Sequence, residues 1–95
     1  MLNKYETIFI VDATLADEQI QALAEKFKSL VESSATLEGI EDWGKKKLAY
    51  AINYKTEGQY FLVNYSADAE FPKELERNLK ITEGVIKYMT VRRAE

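Results

Sequence analysis

Residues 43–52 read WGKKKLAYAI, and the interpretation of the whole chain starts from this stretch. From Leu48 to Ile52, larger apolar residues alternate with alanine, which is the period-two pattern of a strand with one buried face. Gly44 stands where the alternation begins, so we expect a bulge or a sharp bend there. The run Lys45–Lys47 is the only place with three consecutive basic residues. These lysines either contact a phosphate backbone or keep an exposed hairpin arm soluble and unpaired.

The composition limits the classes of function. The chain has 95 residues, of which 46% are hydrophobic, and this length fits one domain, residues 1–95, with a single core. It contains neither cysteine nor histidine, so disulfides, thiol chemistry and the commonest general bases and metal ligands are missing. We therefore expect no enzymatic activity, cofactor, metal or small-molecule substrate. No signal-peptide pattern or long apolar run occurs, which predicts a cytoplasmic protein without a membrane segment.

The charge is unevenly distributed along the chain. The net charge is −3 and the sequence pI is about 5.1, which argues against a polycation that coats nucleic acid. Residues 43–55 nevertheless contain four lysines and no acid, and residues 85–93 contain three cations and no acid. A chain that is acidic overall can therefore still carry local cationic sites.

The hydrophobic patterns predict six elements in the order strand, helix, strand, strand, helix, strand. We expect them at residues 5–11, 16–31, 35–53, 59–66, 72–83 and 85–92, with Thr14 as the cap of the first helix and residues 54–58 as a hairpin connection. This order predicts an α+β, ferredoxin-like βαββαβ fold, in which a four-stranded antiparallel sheet carries both helices on one face.

Two sets of buried or semi-buried residues follow from these patterns. An apolar sheet face without helices would contain Ile8, Ile10, Tyr60 and Leu62, and Tyr88 if the last strand is turned that way. That strand is ambiguous, because residues on both of its sides are apolar. Such a face is typical of a protein or nucleic-acid contact, although its aromatics are alternatively half-exposed residues without a partner. The predicted core comprises Phe27, Leu30, Leu48, Phe61, Leu75 and Leu79.

Three familiar motifs do not fit the sequence. Residues 57–64 read EGQYFLVN and depart at four positions from the aromatic motif with which RNA-recognition domains stack bases. The glycines lack the spacing of a phosphate-binding P-loop. Asp12, Asp17 and Glu18 resemble a site for a hard metal ion, but the start of a helix explains them without one.

Residues 44–52 closely resemble the signature of the bacterial small-subunit ribosomal protein six family, in which a glycine and a basic run precede Leu-Ala-Tyr. Tyr5-Glu6, residues 60–64 and residues 85–89 also resemble this family. The resemblance implies a non-catalytic structural constituent of the small ribosomal subunit. It further implies binding to the central domain of small-subunit ribosomal RNA together with small-subunit ribosomal protein eighteen. Lys4 follows Leu2 and Asn3 where the family often has arginines, so charge is kept without the bidentate geometry of arginine.

The candidate site residues fall into two groups. Those expected to contact RNA phosphates are Lys4, Lys45, Lys46, Lys47, Lys87, Arg92 and Arg93. Those expected to contact the protein partner on the open sheet face are Tyr60, Leu62 and Tyr88. A rival interpretation is a small regulatory or ligand-binding domain of the same fold that self-associates through its sheet. An acyl-phosphate hydrolase would need an anion-binding loop with Arg and Asn, which the sequence does not show.

Overall fold

The structure, a computed structural model, describes the backbone of residues 3–52 and 55–93, and within these ranges every side chain except those of residues 49–52 and 55. This part of the chain forms β1 (Asn3–Asp12), α1 (Asp17–Ser34), β2 (Thr36–Ile52), β3 (Lys55–Ala67), α2 (Phe71–Ile81) and β4 (Val85–Arg92). The strands pair antiparallel in the order β2-β3-β1-β4. The predicted βαββαβ arrangement is confirmed. Asn53 and Tyr54, at the predicted hairpin connection, lie outside the described residues.

Both helices pack on the same face of the sheet. Phe9 in β1 is the centre of the core, with its ring centroid 5.3 Å from that of Phe27 in α1 and 5.2 Å from that of Phe61 in β3. Tyr65 meets Phe71 of α2 edge to face at 5.5 Å. Aromatic pairs of this kind add stability beyond the area that they bury. The helix-covered face therefore holds the hydrophobic core of the domain.

The first helix starts later than predicted. It begins at Asp17, with Ala16 as its N-cap residue, and Gln19 accepts a hydrogen bond from the Ala16 N–H at 3.2 Å. Thr14 does not cap the helix, because its N–H and its hydroxyl both donate to Asp12 Oδ1, at 2.9 and 2.7 Å. Such local side-chain bonds form turns in preference to helix, which explains the delayed start.

Four of the six predicted core residues are buried. Phe27, Phe61, Leu75 and Leu79 are at most 2% exposed. Leu30 and Leu48 are only half-buried, so their prediction as fully buried core was wrong. Leu48 lies where β2 and β3 continue past the end of β1, since Asp12, the last residue of β1, pairs with Gly58. This arm has strand neighbours on fewer sides than the body of the sheet.

Two details of the strands correct the sequence interpretation. The β3 strand begins at Lys55, so Gly58 lies within it and not in a turn. A glycine is needed there because a Cβ atom would clash with Ile10 Cγ2. In β4, the register shifts between the partners of Ile10 and Val11, and Tyr88 lies opposite Phe9. Tyr88 therefore packs against the core on the helix-covered face, and its expected place on the open face was wrong.

Candidate nucleic-acid and partner interface

The seven predicted cations lie at two opposite ends of the sheet. Gly44 of β2 and Lys87 of β4 occupy the same row across the sheet, with Tyr60 and Ile10 between them. Three strand spacings separate the two edges, which is roughly 14 Å. We call this region, formed by Lys45, Lys46, Lys47 and Lys87, the lysine end. Lys4, Arg92 and Arg93 lie at the other end, where Arg93 N–H donates to the Lys4 carbonyl at 2.8 Å.

The lysine run is divided between the two sheet faces. Lys46 pairs with Gly58 and holds its ammonium 5.3 Å from the centroid of the Trp43 ring, a cation–π contact on the open face. Lys45 pairs with Gln59 on the other side and approaches Asp17 at the start of α1, with Nζ 3.8 Å from Oδ1. Because successive strand residues point to opposite faces, no single flat surface contacts all three lysines equally.

The arginines at the other end have side-chain partners within the protein. Arg92 Nη2 donates to Asn3 Oδ1 at 2.8 Å, and Arg93 Nη1 lies 3.5 Å from Glu38 Oε1. Exposed ion pairs of this kind contribute little to stability, so a phosphate can replace Glu38 at small cost. The structure thus gives two separate cationic regions and not one continuous patch.

A bulge in β2 positions Trp43 on the open face. The predicted irregularity is confirmed, because the register shifts between Asp42 and Gly44, and Gly44 has a φ of 77°. Asp42 Oδ1 accepts a hydrogen bond from the Gly44 N–H at 2.8 Å, and both carboxylate oxygens accept from Gln59 Nε2, at 3.0 and 2.9 Å. These bonds fix the backbone on both sides of the indole ring.

The open sheet face is apolar and is not covered by either helix. Ile8 pairs with Leu62 on one side and with Met89 on the other, and Ile10 pairs with Tyr60. Met89 and Val91 are 53% and 48% exposed, whereas Leu62 is only 8% exposed. A depression of about 200 Å³ lies on this face, and the open-face residues that line it are Ile8, Ile10, Trp43, Tyr60, Lys87 and Met89. We call it the Trp43 depression.

Sequence reasoning placed some of this surface correctly and missed the rest. Tyr60 and Leu62 do share the open face with Ile8 and Ile10, as their pairing shows. Met89 and Val91 were left ambiguous, and the sequence alone did not place Trp43 on the open face. The sequence did offer one signal for the position of Trp43. Asp42 stands two residues before Gly44, and an aspartate at this spacing often accepts a hydrogen bond from the backbone of a turn or bulge.

The perturbed titratable groups lie away from these surfaces. Burial raises the pKa of the Tyr65 hydroxyl, and hydrogen bonds with Thr7 and Thr90 oppose part of that rise. This network, with Tyr65 and Thr90 oxygens 2.9 and 2.8 Å from Thr7 Oγ1, lies under the helices. On α2, the hydrogen bond from Arg77 lowers the pKa of Glu74. Both shifts therefore arise from contacts within the helix-covered part of the fold and not from a site on these surfaces.

The fold and these surfaces define a small α+β domain with two cationic regions and an exposed apolar sheet face. A family model described as "Ribosomal protein S6" matches residues 4–92. The small ribosomal subunit protein bS6 of Alkaliphilus oremlandii is 45% identical over 91 residues, which cover 96% of this chain and 97% of the relative. The protein of the same name from Clostridium botulinum is 45% identical over 91 residues, with 95% and 97% covered.

A solved structure gives the same result. The crystal structure of 30S ribosomal protein S6 from Thermotoga maritima superposes with a TM-score of 0.92 at 28% identity, covering 98% of this chain and 89% of that chain. The chain therefore belongs to the ribosomal protein S6 family. It is a structural protein associated with the small ribosomal subunit, and not an enzyme. Among the helices of the described residues, none is long and apolar enough to span a membrane.

Proposed function

We propose that this protein binds the central domain of small-subunit ribosomal RNA in the bacterial cytoplasm, together with small-subunit ribosomal protein eighteen. The observation that carries the RNA part is the lysine end, where Lys45, Lys46, Lys47 and Lys87 gather on a chain of net charge −3. Such contacts act on phosphates and set the position of the protein without reading sequence.

The structure supports a preference among the candidate cations. Lys46 and Lys87 belong to the open-face side of the sheet, since they pair with Gly58 and Ile10. Lys45 and Lys47 belong to the opposite side. An RNA backbone that crosses the end of the sheet contacts both pairs, whereas one that lies flat on the open face contacts mainly the first pair. Lys4, Arg92 and Arg93 provide a second, weaker contact once Glu38 is displaced from Arg93.

Replacing Lys45, Lys46 and Lys47 together with alanine is expected to flatten the salt dependence of RNA binding. Each lost phosphate contact should reduce the slope of log K against log salt by about 0.7 to 0.9. The measurement is filter binding of a central-domain RNA fragment at several KCl concentrations. A joint replacement of Lys28, Lys73 and Lys80, which are on the helices, removes the same charge and should leave the slope nearly unchanged. Equal effects of the two triple variants would remove the lysine end from the interface.

The protein partner is proposed to cover the apolar open face. Tyr60 stays in this surface, and Met89 and Val91 join it because they are the most exposed apolar residues on that face. Tyr88 faces the helices, and Leu62 is already buried by its neighbours, so neither offers much new area to a partner. A partner that brings basic charge would also offset the net charge of −3, which opposes long-range attraction to RNA.

The variant Val91→Lys is expected to abolish partner binding while the melting temperature changes little. Val91 is 48% exposed and lies opposite Glu6, so a lysine there gains a cross-strand charge partner while it disrupts an apolar contact. Titration with purified partner and a thermal melt give the two readouts. The control is Ile81→Lys at the end of α2, where the residue is 68% exposed but on the helix side. If Val91→Lys binds the partner normally, the open β4 side is not the docking surface.

Co-sedimentation tests the proposal as a whole. The full chain should sediment with small ribosomal subunits and be released as salt is raised. A free homodimer that binds neither small ribosomal subunits nor RNA would instead support the regulatory, self-associating interpretation.

A further inference from the structure

We propose that the hydroxyl group of Thr90, acting with the charge of Lys87, holds β4 in the register that keeps Met89 and Val91 on the open sheet face. Thr90 is then a positioning residue for the surface that the protein partner covers. Its effect on partner binding rests on the proposed function, whereas its effect on the register of the strand does not.

A bulge near the start of β4 sets the orientation of this strand. Val85 pairs with Val11, whereas the next pair is Lys87 with Ile10, so Ile86 is the extra residue. Because side chains alternate along a strand, one extra residue moves every later side chain to the other face of the sheet. The orientation of the rest of β4 therefore depends on whether the bulge is present.

A strand without the bulge would have a competing register. With its start unchanged, it would place Met89 opposite Thr7 and Val91 opposite Tyr5, on the helix-covered face. In the structure, both of these apolar side chains are instead exposed on the open face. Tyr88 would leave the margin of the core in exchange, so one half-buried aromatic ring would be traded for two apolar side chains. Apolar burial alone therefore does not select the observed register.

A chain of buried hydroxyl groups favours the bulged register. Thr90 Oγ1 lies 2.8 Å from Thr7 Oγ1, which lies 2.9 Å from the Tyr65 hydroxyl, and all three lie beneath the helices. Thr7 and Tyr65 are both 0% exposed. Without the bulge, Thr90 would move to the open face and Met89 would take its place beside Thr7 without forming a hydrogen bond. Buried polar contacts add little net stability, but they can select one register over another.

The charge of Lys87 favours the same register. Lys87 pairs with Ile10 on the open-face side, whereas without the bulge it would lie opposite Phe9 at the centre of the core. Moving a cation into apolar surroundings is costly, so this charge alone opposes the competing register. The contribution of Thr90 is therefore visible only in a protein from which the charge at position 87 has been removed.

The experiment compares Lys87→Leu with the double variant Lys87→Leu/Thr90→Val, in which the second substitution replaces a hydroxyl with a methyl group of similar size. Cross-strand backbone contacts in the isotopically labelled full chain are measured by nuclear Overhauser spectroscopy. Lys87→Leu should keep Thr7 paired with position 90, whereas the double variant should pair Thr7 with Met89 in most molecules. Titration with small-subunit ribosomal protein eighteen gives the second readout. Its Kd should rise by the reciprocal of the fraction that keeps the bulged register, which is about tenfold when one tenth keeps it.

A conservative variant separates the hydroxyl group from the rest of the side chain. Lys87→Leu/Thr90→Ser keeps a hydroxyl at position 90 and should retain the bulged register and the Kd of Lys87→Leu. If Lys87→Leu/Thr90→Val still pairs Thr7 with position 90, or loses its fold, the role of Thr90 is overturned. A switch of register in Lys87→Leu alone would overturn it as well. If the double variant switches and its Kd stays unchanged, β4 is not part of the partner surface, and the proposed docking fails while the role of Thr90 in the register remains.

Discussion

Replacing Leu79 with alanine is expected to lower the free energy of unfolding by about 2 to 5 kcal/mol. Leu79 is 1% exposed and belongs to the cluster that joins α2 to the sheet. The truncation removes apolar contacts and leaves a cavity that the packed strands cannot fill. A domain of this size has only about 5 to 15 kcal/mol of stability in total, so this single change removes a substantial part of it. Urea denaturation should show a lower midpoint with an unchanged m value.

The matched control is Leu30→Ala, the same substitution in the other helix. Leu30 is half-buried at the margin of the core, so the variant should lose roughly 1 kcal/mol or less. The two losses must differ if burial, and not helix position or residue type, sets the cost. Similar losses at the two leucines would mean that α1 packs more tightly on the sheet than its exposure indicates.

This pair also shows how far the sequence predicts the core. Spacing identifies which residues share one face of a helix, and it placed Phe27 and Leu30 on the same stripe correctly. The spacing does not tell where the sheet surface beneath the helix ends, because that depends on the length and twist of the strands. Leu48 fails for the same reason, since it lies on the arm beyond the end of β1. Element type therefore follows from local pattern, whereas burial at the margins follows from tertiary geometry.

For the candidate interface, the sequence predicted which residue types are exposed and only part of their layout. Charge segregation located the lysine end, because acid-free segments are visible in the sequence. The division of Lys45 from Lys46 follows from strand alternation, but the bulge at Trp43 changes the phase of β2 relative to β3. A second shift, between the partners of Ile10 and Val11, turned Tyr88 toward the helices. Bulges depend on cross-strand pairing, so a strand such as β4, with apolar residues on both of its sides, cannot be oriented from its own sequence.

Leu62→Glu is the second large effect that we expect, with a loss of roughly 3 to 5 kcal/mol in the free energy of unfolding. Leu62 lies on the open face, but it is only 8% exposed between its cross-strand neighbours Ile8 and Glu41. A glutamate at this position would lose hydration without gaining a cationic partner, and it would face the Glu41 carboxylate across the strands.

Two comparisons make this prediction specific to a buried charge. Met89→Glu lies in the same row of the sheet, on the other side of Ile8, but Met89 is 53% exposed and the variant should lose only about 0.5 kcal/mol.

Burial also raises the pKa of the new carboxyl at position 62 above its unfolded value, so the folded state takes up a proton first as the pH falls. The stability deficit of Leu62→Glu should therefore shrink between pH 7 and about pH 4, while that of Leu62→Gln stays constant over the same interval. Thermal melts of the three variants across this pH range give the answer. Equal stability of the Leu62 and Met89 glutamate variants would mean that the open face is loosely packed throughout, and that a partner meets Leu62 as readily as it meets Met89.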